Sequence, residues 1–128
     1  MDRKIIATAA FFGMTAVILD AFGAHKLKEL LDVTMLDAFK TGARYQMYHA
    51  FLLLFIGLNG AIPNKSKNAM FWLVTIGILL FSGSLYLLST GKISGIDIRP
   101  IGWVTPIGGM LLIAAWAVLF TIFIRKKS

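Results

Sequence analysis

Residues 5–19 read IIATAAFFGMTAVIL, a run with no charged side chain, and Ala21, Phe22, Gly23 and Ala24 extend it past the single acid Asp20. At ~1.5 Å per residue, a helix over about 5–24 spans the ~30 Å of bilayer hydrocarbon. Asp2-Arg3-Lys4 in front and Ala21-Phe22-Gly23 at the end give a superficial likeness to a signal peptide with a small-residue cleavage site. The chain carries the segment from Met1, so it is read as a retained transmembrane helix 1.

Three more apolar runs follow. His25 to Leu31, His-Lys-Leu-Lys-Glu-Leu-Leu, is amphipathic and too short to span, and is expected to lie in the interface. Thr34 with Asp37 three positions on has the spacing of a capping box with a shorter acid, and opens helix 2 over about 35–58. Asn59 to Asn68, with Gly60, Pro63, Lys65 and Lys67, is a breaker-rich turn before helix 3 at about 69–89. Thr90 to Val104 is a second irregular loop holding Gly91, Gly95, Pro100 and Gly102. Thr105-Pro106 then reads as an N-cap with proline at the first helical position of helix 4, about 105–124. The expectation is an all-α membrane protein: one domain over 1–128, a four-transmembrane-helix bundle with a short amphipathic interfacial segment between helices 1 and 2.

Composition agrees. Of 128 residues 58% are hydrophobic and 15% charged, with mean hydropathy +0.78, more apolar side chain than one small soluble core encloses. The net charge of +7 sits in clusters beside the apolar runs, including Lys65/Lys67 and Arg125-Lys126-Lys127, the pattern of a topology signal and not of a nucleic-acid surface. Those clusters place both termini in the cytoplasm. There is no cysteine, hence no disulfide, thiolate nucleophile or Cys-rich metal site.

Ala9, Gly13, Ala16 and Gly23 lay a stripe of small side chains along one face of helix 1, suited to close packing in lipid, and make it the expected central helix. Asp20 falls on that stripe. On helix 2, Asp37, Thr41, Arg44, Tyr45, Tyr48 and Leu52 share a face expected to look into the bundle, with His49 at its edge and Gln46 elsewhere. An ionised side chain facing hydrocarbon costs at least ~3 kcal/mol, so Arg44 is expected to pair with Asp20. A polar recess at one leaflet is then lined by Asp20, His25, Arg44, Tyr48, His49, Ser84 and Tyr86. His25 and His49 lack the three or four convergent ligands of a metal site, and the serines have no ordered partner base and acid, so neither a catalytic set nor a cofactor is expected.

Ala21-Phe22-Gly23-Ala24-His25, Ala43-Arg44-Tyr45-Gln46-Met47-Tyr48-His49-Ala50, Phe81-Ser82-Gly83-Ser84-Leu85-Tyr86 and Thr105-Pro106-Ile107-Gly108-Gly109, in that order, resemble the YwdK/YgdD-type family of small uncharacterised membrane proteins. The resemblance covers nearly the whole chain and implies a bacterial inner-membrane protein with four crossings. It implies no activity. From the residues, the first functional expectation is binding of a lipid headgroup or small amphiphile in the recess, because a guanidinium beside tyrosines suits phosphate or carboxylate. The alternatives are a small oligomeric transporter or channel, and a structural or assembly subunit that receives a partner helix. Expected partners are membrane lipids, a second copy or another membrane protein, and no nucleic acid.

Overall fold

The computed structural model describes residues 2–94 and 100–125, and of residues 92–94 and 100–101 the backbone alone. Gly95 of the second loop and Lys126 and Lys127 of the C-terminal cluster lie outside the described residues. All regular structure among those described is helical. Four long helices follow one another: α1 Asp2–Phe22, α2 Val33–Leu58, α3 Asn64–Ser94 and α4 Val104–Arg125.

Local chemistry sets the ends. The expected break after Ala24 is absent: α1 runs on through a π-helical turn, Gly23–Leu27, into a last α-turn, Lys28–Leu30. Gly23 and Leu27 are buried there while His25, Lys26, Lys28 and Glu29 are exposed, so the amphipathic residues extend α1 and do not form a separate helix. Asp32, not Thr34, caps α2, its carboxylate accepting from the Met35 N–H at 2.8 Å, and the chain enters the helix two residues early. Between α2 and α3, Asn59 Oδ1 accepts from the Ala61 N–H at 2.9 Å, and the Pro63 carbonyl takes the Lys67 N–H. α3 therefore starts five residues ahead of the expected position. A 3₁₀ turn, Pro100–Trp103, leads into α4, so Thr105 and Pro106 stand inside its first turn. The Thr105 hydroxyl bonds the Ser84 hydroxyl of α3 instead of capping its own helix.

The helices pack in chain order, α1 on α2, α2 on α3 and α3 on α4. The central pair is thus α2 and α3, a correction to the expectation that helix 1 occupies the middle. Ile5, Ala9 and Phe12 of α1, Leu53 and Ile56 of α2, Met70, Val74 and Ile78 of α3 and Leu112 and Ala115 of α4 form one continuous core. The starts of α1 and α3 are joined by a 3.1 Å ion pair from the buried Lys67 to Asp2, and by Lys4 over the rings of Phe71 and Trp72.

Large apolar side chains also cover the outside, among them Phe11, Met14 and Ile18 on α1 and Met110, Ile113 and Phe120 on α4. Such a surface suits hydrocarbon and not water. By length and composition, three described segments can cross a membrane: Asp2–Leu30, Asn64–Gly91 and Val104–Arg125. α2 is not among them, because Asp37, Lys40, Arg44, Gln46 and His49 interrupt its apolar residues up to position 49.

Candidate functional site

The polar interior is organised around one amide. Gln46 is 4% exposed, and its Nε2 donates to the Phe12 carbonyl at 2.8 Å and to Thr15 Oγ1 at 2.6 Å, both on α1. Its Oε1 accepts from the Tyr86 hydroxyl of α3 at 2.6 Å. One side chain thereby ties three helices together, each hydrogen bond replacing water that lipid cannot supply. Nearby, Ser82 donates to the Gly42 carbonyl at 2.7 Å, where glycine lets the Tyr86 ring lie so close that a Cβ would meet its Cε1 at 2.8 Å.

The seven recess residues do not converge on one cavity. Asp20, Arg44 and Tyr48 come together at an open groove of about 340 Å³ between the end of α1 and the middle of α2, floored by Ala16, Ala24 and Ala43. All three are exposed, Tyr48 by 53%. The expected Asp20–Arg44 ion pair is not formed: among the described residues the charge pair within 4 Å is Lys67–Asp2. His25 is exposed on the extension of α1 and does not line this groove. Ser84 is buried with Thr105, and Tyr86 serves Gln46. Of the small stripe, Ala9 and Ala16 are buried, Gly13 faces Ala50 and Met47, and Gly23 lies against Phe39.

His49 is buried on another side of α2. Trp116 Nε1 of α4 donates to its Nε2 at 3.0 Å, while its Nδ1 lies 2.7 Å from the Tyr45 carbonyl. A ring that accepts at Nε2 and faces a carbonyl at Nδ1 is the neutral Nδ1–H tautomer. We expect ¹⁵N NMR of the imidazole to show that tautomer, and Trp116→Phe to lower stability by about 1 kcal/mol through the lost donor. Trp116 is therefore the partner of a buried histidine, and its ring is also partly exposed on the outer side of α4. Among the described residues no three His, Asp or Glu side chains group to hold a metal ion.

Residues 19–109 match the family model described as a protein of unknown function, DUF423. The chain belongs to the DUF423 family. It is 41% identical over 117 residues to a UPF0382 membrane protein of Staphylococcus saprophyticus, covering 91% of this chain and 93% of that one. It is 38% identical over 122 residues to the UPF0382 membrane protein YwdK of Bacillus subtilis, covering 91% and 93%. With the UPF0382 inner membrane protein YgdD of Escherichia coli K12 the identity is 34% over 129 residues, covering 98% and 93%. No solved structure matches it. This DUF423 chain is a membrane protein, and the matched region includes Asp20, Arg44 and Tyr48 of the groove and Gln46 and Tyr86 of the hub, while Phe12 and Thr15 precede it.

The helix 2 face expected to look inward looks outward in this DUF423 protein. Of its six residues, Arg44, Tyr45, Tyr48 and Asp37 are exposed and Thr41 is half-buried, while Leu52 alone is buried as expected; the buried face is otherwise Phe39, Gly42, Ala43, Gln46, His49, Ala50, Leu53 and Ile56. A signal for this was present. Stepping back from the apolar Ile56 and Leu53 by alternate threes and fours reaches Ala50 or His49, then Gln46, then Ala43 or Gly42, then Phe39, which puts the amide inside. Assigning the inner face by the charge of Arg44 instead of by this pattern turns the helix the wrong way.

Proposed function

We propose that this DUF423 protein binds a phospholipid headgroup in the groove between the end of α1 and the middle of α2, with Arg44 as the phosphate ligand and Tyr48 beside it. Arg44 carries the reading: it is exposed at a groove and has no hydrogen bond or ion pair with any described residue. A guanidinium at the edge of hydrocarbon is costly unless an anion or water meets it, and phosphate accepts its planar fork of donors.

The reading rests on four crossings of a bacterial inner membrane with both termini cytoplasmic. α2 makes the fourth crossing. Its 26 residues span ~39 Å, residues 50–58 are all apolar, and the interior amide of Gln46 and imidazole of His49 near its middle are satisfied by neighbouring helices. The relative YgdD, named an inner membrane protein, supports that location.

Native mass spectrometry of gently extracted protein tests the proposal. Wild type should retain phospholipid, and Arg44→Ala should lower retention roughly 10-fold or more, the effect of losing a charge-assisted hydrogen bond worth ~1.5–3 kcal/mol. Absence of retained phospholipid in wild type, or equal retention in Arg44→Ala, would overturn it.

A further inference from the structure

Resting on the headgroup reading above, we infer that the groove selects a zwitterionic phospholipid bearing a primary ammonium, a phosphoethanolamine headgroup, with its acyl chain laid along the exposed face of α2. Two opposite charges line one groove without contacting each other. Asp20 and Arg44 both border the same ~340 Å³ space, both are exposed, and neither forms an ion pair within 4 Å with a described residue. A ligand with one charge of each sign bridges them, phosphate on the guanidinium and ammonium on the carboxylate. A phosphoglycerol headgroup offers the phosphate alone and leaves Asp20 facing net negative charge.

A phosphocholine headgroup brings a positive nitrogen with no N–H to donate. Quaternary ammonium is held by cages of several aromatic rings, and among the described residues Tyr48 is the one aromatic side chain lining this groove. Asp20 therefore favours the nitrogen that can hydrogen-bond.

The tail has a path. Tyr48 also lines a second groove, of about 330 Å³, with Phe51, Phe55, Trp116 and Leu119. Arg44, Tyr48, Phe51, Phe55 and Leu58 are all exposed and recur at steps of four, three, four and three, a single lane down α2. From Arg44 to Phe55 the lane is ~16 Å long at ~1.5 Å per residue, against ~15 Å for the hydrocarbon of one leaflet. A lipid with its headgroup at Arg44 therefore lays its chain on aromatic faces for its whole length, which a free phosphoamine cannot do.

The test is competitive lipid retention by the purified full chain in native mass spectrometry, with phosphatidylethanolamine, phosphatidylcholine and phosphatidylglycerol of matched acyl chains. Wild type should prefer the ethanolamine lipid about tenfold, as expected for one added charge-assisted hydrogen bond. Asp20→Asn should still retain phospholipid but lose that preference, and Asp20→Lys should turn it toward the glycerol lipid. Asp20 is exposed, and an unchanged melting curve shows that each variant folds. Free O-phosphoethanolamine at equal concentration should not displace the lipid.

Equal retention of the three lipids by wild type, or an ethanolamine preference that survives Asp20→Asn, overturns the selectivity while leaving phospholipid binding in place. Retention of none of them by wild type overturns the binding itself. Displacement by the free phosphoamine, or disulfide crosslinking of Phe51→Cys between two copies in native membranes, removes the acyl lane from the proposal.

Discussion

Gly108→Ala should destabilise the protein by about 2–3 kcal/mol, the upper part of the range for overpacking, whereas the neighbouring Gly109→Ala should stay within about 0.5 kcal/mol. At Gly108 a Cβ would run into the backbone nitrogen of Phe81 and stand 2.9 Å from both the carbonyl carbon and the Cβ of Leu80. Main chain of one helix meets main chain of the next there, and no rotamer change relieves the clash. At Gly109 the nearest atom would be Phe81 Cδ1 at 3.5 Å, an ordinary contact. Gly77 continues the seam, with a Cβ meeting Leu112 Cδ2 at 2.7 Å. Leucine is flexible, so Gly77→Ala should cost less than Gly108→Ala. Unfolding in mixed micelles titrated with denaturing detergent measures all three, and equal effects at 108 and 109 would remove the claim that backbone contact fastens α4 to α3.

Gln46→Leu should cost about 2 kcal/mol, and adding Tyr86→Phe in that background should recover about 1 kcal/mol. Leucine fills a similar volume but leaves the Tyr86 hydroxyl with an acceptor removed, and cuts the bonds to Phe12 and Thr15. Average interhelical hydrogen bonds in lipid are worth only ~0.6 kcal/mol, so the larger figure depends on three sharing one donor and acceptor group, all below 3 Å. Removing the orphaned hydroxyl as well is cheaper than leaving it unpaired. A double-mutant cycle in which the two changes simply add would show that the Tyr86–Gln46 bond contributes nothing.

The groove was partly legible. Asp20, Arg44 and Tyr48 could be placed at one membrane level by counting residues along two hairpin-connected helices, and the structure does bring them to one space. Their relation to one another was not. A pairing of Asp20 with Arg44 follows if a charge beside hydrocarbon turns inward, but a long side chain can instead reach along the outside of its helix toward the headgroup level. Ser84 and Tyr86 are polar and at the right depth for the recess, but each is consumed by an internal bond, to Thr105 and to Gln46.

The presence of the long apolar helices and the turns between them were set by local properties of the chain. Run length against bilayer thickness, proline and glycine at the breaks, and carboxylates or amides at the caps each act within a few residues, so they can be read without knowing any neighbour. Only the tertiary structure decided the rotation of α2. Polar groups lie on both of its faces, and a turn of ~100° per residue lets either Arg44 or Gln46 face inward. The choice was made by contacts far apart in sequence: Phe12 and Thr15 waiting for the amide on one side, Tyr86 on the other, and Gly42 admitting the Tyr86 ring. Because a buried amide can be fully satisfied by such partners while a buried guanidinium here could not, the arginine was left at the groove.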